Sequence, residues 1–186
     1  MIYALIDQES LQQRGISLES LVQTFDSQTI PLLQYRNKSG SLEAQRRDLQ
    51  RIRACYQGKI IINDQIELIN EADGLHLGQE DIRRFDENLT QAIENVRSII
   101  GRKLLGLSTH NQAEILQANA LDLDYIGLGA YRNTSTKKDA NVLGDDALEL
   151  AKLSTHPVGL IGGVKRSDRF GNAITYKVIG SDLYEN

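Results

Sequence analysis

Cysteine is nearly absent from the chain: Cys55 is the only one in 186 residues. A single thiol forms neither an intramolecular disulfide nor a cysteine-based metal cluster. Cys55 falls within a helical pattern and reads as a buried or bystander group. An excess of positive charge is also missing. The 21 Lys and Arg stand against 25 Asp and Glu, for a formal net charge of -4. Broad attraction to nucleic acid is therefore not expected, and any basic site has to be local. No apolar run approaches the roughly 20 residues of a membrane span, and Met1-Ile2-Tyr3 opens no signal-peptide pattern. A cytoplasmic protein without membrane contact is the expectation. His76, His110 and His156 keep no ligand spacing, and no Ser/His/Asp or Cys/His nucleophile arrangement is suggested.

What is present suits one compact domain over residues 1–186, since 40% of the residues are hydrophobic and 25% charged. Short apolar runs recur at regular intervals. They are Ile2 to Ile6, Ile30 to Lys38, Lys59 to Ile62, Gly74 to Leu77, Lys103 to Leu107, Tyr125 to Gly129, Val158 to Ile161 and Thr175 to Ile179. Helical patterns fall between most of them. Ser17 caps one that carries Leu18, Leu21, Val22 and Phe25, and Ser41 starts another with Leu42, Leu49, Ile52 and Tyr56 as its inner stripe. A short helix is expected over about Gln65 to Glu71. Leu89, Ala92, Ile93, Val96, Ile99 and Ile100 keep helical spacing up to a stop at Gly101. Asn111 with Glu114 resembles a capping box, and Ala147 to Leu153 reads as the last helix. Arg46, Arg47, Arg51 and Arg53 lie among Glu43 and Asp48, so they read as a solvated helix face.

Continuous apolar strands, as opposed to alternating ones, mark a parallel sheet buried on both faces. Eight of them, alternating with helices, predict a (β/α)8 TIM barrel, with a doubly wound open sheet as the alternative. The barrel is compact, since about 250 residues is typical. Past the eighth strand there is no room for a full helix before Asn186, so the last helix is expected to be absent. The apolar surface this leaves between the first and eighth strands is expected to be covered by a second copy of the chain.

In a barrel the C-terminal ends of all strands meet at one rim. Gathered there are Gln34, Arg36 and Lys38; Asn63 and Asp64; Gln79 and Asp81; Ser108; Thr134, Thr136 and Lys137; and Gly162 with Gly163. Arg offers a planar fork of donors and Lys a compact charge, a pairing suited to phosphate oxygens. Asp64 and Asp81 could share a hard cation such as Mg²⁺, its other ligands being waters and substrate phosphates. Gly162-Gly163 would let backbone N–H groups approach a second phosphate. Asn-Asp and Gly-Gly are also ordinary turn chemistry, and His76 reads equally as a structural histidine or one that helps orient substrate.

The run Gln34-Tyr35-Arg36-Asn37-Lys38, then Ile62-Asn63-Asp64 and the segment from Ala72 through Gly78-Gln79-Glu80-Asp81, resembles the thiamine phosphate synthase family. Gly106 to His110, Asp124 to Gly129, Thr134 to Lys137 and Pro157 to Gly163 extend the likeness in order. The helix before Gly101 is longer than the family pattern, and the likeness fades past Gly163. The resemblance implies a (β/α)8 barrel that joins hydroxymethylpyrimidine diphosphate to a thiazole phosphate, releasing diphosphate. It implies that Gln34 contacts the pyrimidine, while Arg36, Lys38, Asn63 and Lys137 hold the diphosphate. Asp64 and Asp81 would bind Mg²⁺, and Ser108 would bond near the departing diphosphate. Thr134 and Thr136 would contact the thiazole, with Gly163 at its phosphate. Tyr35, Asn37 and Ser135 join the substrate-binding set through the same stretches, and Arg36, Lys38, Ser108 and Lys137 are the catalytic candidates. The absent last helix would weaken affinity for the thiazole phosphate. A thiazole tautomerase on the same barrel, or a non-catalytic barrel that binds phosphorylated precursors, stays open as an alternative.

Overall fold

A computed structural model of the chain describes residues 1–133 and 142–184. Eight parallel strands pair in sequence order and close on themselves. They are β1 (Ile2–Asp7), β2 (Leu32–Arg36), β3 (Lys59–Asn63), β4 (Gly74–Leu77), β5 (Leu104–Thr109), β6 (Tyr125–Leu128), β7 (Val158–Leu160) and β8 (Tyr176–Ile179). The closing pair sets Tyr3 of β1 against Val178 of β8. All-parallel pairing with buried strands is what the apolar runs call for, because both faces of each strand are covered.

The helices are α1 (Gln8–Arg14), α2 (Leu18–Val22), α3 (Leu42–Cys55), α4 (Leu89–Ile100), α5 (Gln112–Ala118) and α6 (Asp146–Ala151). Side-chain caps start most of them: Asp7, Ser17, Ser41, Asn88 and Asn111 each accept a hydrogen bond from a first-turn N–H. Of the Asn111–Glu114 capping box the N-cap half forms, Asn111 Oδ1 accepting from Glu114 N at 2.9 Å, while the Glu114 carboxylate reaches back to Asn111 Nδ2 and to His110 N, both at 2.8 Å, in place of Asn111 N. Gly101 ends α4 at φ 61°, as its position after the apolar stripe predicts. The arginines of α3 face outward and pair with acids, Arg46 with Glu71, Arg47 with Glu43 and Arg53 with Asp73.

The outer layer departs from a strict alternation of strand and helix. α1 was not expected: its seven residues carry one buried apolar side chain, Leu11, which is too little for a periodic pattern. The crossing from β3 to β4 is a 3₁₀ segment, Ile66–Glu71, and no side chain caps its start. No helix links β7 to β8. Leu42 and Ile99 sit on the helical stripes by spacing, yet they are 42% and 56% exposed. After β8, a 3₁₀ turn at Ser181–Leu183 buries Leu183. Tyr184 then reaches β1, its hydroxyl accepting from Asp7 N at 3.1 Å.

Two apolar clusters hold the fold. The larger lies between the strands and the outer layer, with Ile6, Leu33, Leu49, Ile60, Ile62, Leu75 and Ile126 among its fully buried members. The smaller fills the barrel: Tyr3, Leu32, Ile61, Tyr125 and Val178, with Tyr176 packed against them. Its tyrosine rings meet edge-on, Tyr3 on Tyr125 at 5.7 Å and Tyr125 on Tyr176 at 6.3 Å between centroids. Gly106 of β5 makes room for this group, because a Cβ there would stand 2.2 Å from the Tyr125 ring.

Candidate active site

At the carboxyl end of the strands the alternation of β2 decides which groups face the interior. Gln34 and Arg36 turn to the barrel side, and Tyr35 and Asn37 turn outward. Tyr35 donates to Asp48 Oδ2 of α3 at 2.5 Å. Asn37 donates to the Tyr35 hydroxyl at 3.1 Å and accepts from Gly40 N at 2.8 Å. These two side chains therefore brace the turn that carries Lys38, and they lie behind the rim surface. Gln34 is 4% exposed, and its Nε2 has no protein partner among the described residues. A buried amide donor left open is costly unless a ligand satisfies it.

Arg36 pairs with Asp7, its register partner at the end of β1. Asp7 also accepts from Ser10 N and Ser10 Oγ at the start of α1, so one buried carboxylate anchors a helix and orients a rim cation. Asp7 ends the first strand in the sequence, and that position was its only signal. Lys38 is the exposed cation of the group, with Nζ 3.9 Å from Asp64 Oδ2.

Asp64 follows β3 at φ 61°, the one non-glycine positive φ among the described residues. Asn63 donates to its Oδ2, and Gly78 N donates to its Oδ1 at 3.2 Å. Burial and the charge of Asp81 raise its pKa, against the pull of the Gly78 N–H, Lys38 and Asn63. Asp81 opens the 3₁₀ turn Asp81–Arg84. Two carboxylates on neighbouring strand ends, one of them buried beside the charge of the other, offer oxygen donors only and fit a hard divalent ion whose remaining ligands come from water or phosphate. Among the described residues no group of three or more His, Cys, Asp or Glu forms a fuller cage.

Ser108 on β5 accepts or donates through Oγ to His76 Nε2 at 3.0 Å. Its carbonyl accepts from Gln79 Nε2 at 2.6 Å, which ties the loop after β4 to β5. His76 is 9% exposed, and burial lowers its pKa to about 4. His110 and His156 serve the framework, one bonded to Glu114 and the other to the Ala118 carbonyl.

Thr134, Ser135, Thr136 and Lys137 lie outside the described residues. On the far side of the rim, Gly162 and Gly163 take φ values of 93° and 62°, a turn open to glycine and strained for other residues. Arg132 holds this turn: Nη1 donates to the Gly163 carbonyl at 2.9 Å and to Asp168 Oδ2 at 2.7 Å. Asp168 in turn accepts from Lys165 N, and its pKa is lowered by the Arg132 hydrogen bond. Neither Arg132 nor Asp168 had a sequence signal, since the contact joins loops 36 residues apart.

The rim thus gathers one open amide, two cations, a carboxylate pair and a hydroxyl, a set that can hold an anion and a hard cation together. The family model described as "Thiamine monophosphate synthase" matches residues 2–178. The chain is 33% identical over 174 residues to the thiamine-phosphate synthase of Persephonella marina, covering 90% of this chain and 78% of that one. It is 36% identical over 164 residues to the thiamine-phosphate synthase of Geobacillus kaustophilus, covering 82% and 68%. Among solved structures, a thiamine phosphate pyrophosphorylase from Pyrococcus furiosus superposes with a TM-score of 0.74 at 22% identity, over 97% of this chain and 85% of that chain. At that identity the superposition speaks for the fold.

Proposed function

The chain belongs to the thiamine monophosphate synthase family, and from that premise we propose that it is a transferase of thiamine biosynthesis, joining hydroxymethylpyrimidine diphosphate to a thiazole phosphate to give thiamine phosphate and diphosphate. The observation that carries the reading is the family match across residues 2–178, which takes in the rim end of every strand up to β7.

The chemistry asks little of the protein in covalent terms. The bond between the pyrimidine methylene and the diphosphate oxygen breaks, leaving a resonance-stabilised pyrimidine cation. The thiazole nitrogen then bonds to that carbon. No protein nucleophile is needed, so the residues act by position and charge. In this reading Gln34 offers its open Nε2 to the pyrimidine, and Arg36, Lys38 and Asn63 hold the diphosphate. Ser108 donates to an oxygen of the leaving group. Lys137 joins the diphosphate cage, and Thr134 and Thr136 contact the thiazole, with Gly163 at its phosphate. Asp64 and Asp81 would hold Mg²⁺, which when bound neutralises charge on the diphosphate.

The direct test mixes the purified chain with both substrates and Mg²⁺ and follows thiamine phosphate by chromatography. Absence of product under those conditions overturns the reading.

Arg36 gives a sharper expectation. Its fork serves Asp7 with one arm and has a second arm to offer the diphosphate. Lysine keeps the charge and loses that division. Arg36→Lys should lower kcat/KM tenfold or more, since one preorganised contact to developing charge is worth roughly 2–4 kcal/mol. Steady-state rates equal to the parent would remove Arg36 from the diphosphate cage.

A further inference from the structure

A hydrogen-bonded chain of side chains runs through the barrel interior and ends at the rim. The Tyr3 and Tyr125 hydroxyls are 2.8 Å apart. The Tyr125 hydroxyl lies 3.1 Å from His76 Nδ1, and His76 Nε2 lies 3.0 Å from Ser108 Oγ. The His76 and Tyr125 rings stack at 25°. Tyr3 and Tyr125 are 1% and 2% exposed. Among the described residues, the Tyr3 hydroxyl bonds to Tyr125 alone.

These contacts have a direction. Tyr3 is the closed end, and the only acceptor for its O–H is the Tyr125 oxygen. If Tyr125 donated back to Tyr3, the Tyr3 proton would be buried without an acceptor, which is the costly case. With Tyr3 donating, the Tyr125 proton has His76 Nδ1 as its acceptor. A neutral imidazole that accepts at Nδ1 carries its proton on Nε2. Nε2–H then donates to Ser108 Oγ, and the Ser108 proton is left to point at the rim. All four protons run the same way, outward.

We infer that His76 is a positioning residue: Tyr3 and Tyr125 fix its Nε2–H tautomer, which in turn holds Ser108 as a hydrogen-bond donor toward an anionic oxygen at the rim. This rests on the synthase reading for the identity of that oxygen, which is then one of the departing diphosphate. The tautomer itself follows from the geometry alone. Gly106 is part of the device, because a Cβ there would come within 2.6 Å of His76 Nδ1 and 2.5 Å of the Tyr125 hydroxyl.

The first measurement reads the intact network, and a variant serves only to assign its signal. Nitrogen-15 correlation spectra of the histidine-labelled wild-type chain, with the His76 signal assigned by its loss in His76→Gln, report which ring nitrogen carries the proton. The expected result is Nε2–H, and an Nδ1–H tautomer overturns the proposal. The second is kinetic. Tyr125→Phe frees the tautomer and should lower kcat by about tenfold with little change in KM for the pyrimidine diphosphate. In a Ser108→Ala background the same change should cost nothing further, because the relay acts only through Ser108. A further tenfold loss in that background overturns the proposal. A wild-type chain without turnover overturns the proposed function instead, and the spectrum then decides the tautomer by itself.

Discussion

Asp64→Asn is expected to lower kcat/KM on the order of a hundredfold or more, the scale of losing one preorganised electrostatic group at a transition state. Asparagine is the informative replacement. The position sits at φ 61°, where Asn and Asp are far better tolerated than Ala, so the backbone should hold. Asn also keeps an acceptor for the Gly78 N–H and removes the charge that Asp81 opposes. The relieved repulsion offsets the acceptor that the Asn63 amide loses at Oδ2, so the melting temperature should stay near the parent's while turnover falls, and the Mg²⁺ concentration for half-maximal rate should rise. Asp81→Asn should behave alike. Parent-like rates at unchanged Mg²⁺ demand would take the metal role away from this pair.

The largest structural effect is expected at Gly106→Ala. The new Cβ would lie 2.2 Å from Tyr125 Cζ and 2.6 Å from His76 Nδ1. The tyrosine is a rigid ring wedged among Tyr3 and Tyr176, so it cannot swing aside cheaply. Overpacking of this kind costs about 1–3 kcal/mol, or roughly 3–10 °C in Tm for a chain of this size. Gly171→Ala is the matched control, since nothing lies within 4 Å of a Cβ there. Thermal melts of the two variants should separate clearly. Equal melting temperatures would mean that the barrel interior yields more than its packing implies.

Much of this architecture was legible in the residues because buried parallel strands write themselves as apolar runs. Ile60-Ile61-Ile62 or Leu75 to Leu77 leave no other reading. The rim was legible for a related reason: once the strands are parallel, their ends must meet, and Gln34, Arg36, Asn63 and Ser108 follow. Helices were less legible where tertiary packing outweighed pattern. Gln8–Arg14 shows one apolar residue and is made by its Asp7 cap and by Gly15 at φ 64°. Ile66–Glu71 buries Ile66, Leu68 and Ile69, spacing too irregular for an α-helix.

Contacts across long separations were not legible at all. Arg36 with Asp7 needs the β1–β2 register, and Tyr3 with Tyr125 spans 122 residues. The outward placement of Tyr35 and Asn37 follows from strand alternation. Their partners Asp48 and Gly40 do not.

The tyrosines of the barrel also give the molecule an optical signature. The chain has seven tyrosines and no tryptophan, so its near-ultraviolet signal is phenolic. A free phenol is half ionised near pH 10, yet burial raises the pKa of Tyr3, Tyr35, Tyr56, Tyr125, Tyr131, Tyr176 and Tyr184 alike. In an alkaline titration the phenolate absorbance should lag well behind that of free tyrosine, and then rise together with loss of the far-ultraviolet dichroism. The colour change thereby becomes a label-free clock for the opening of the barrel.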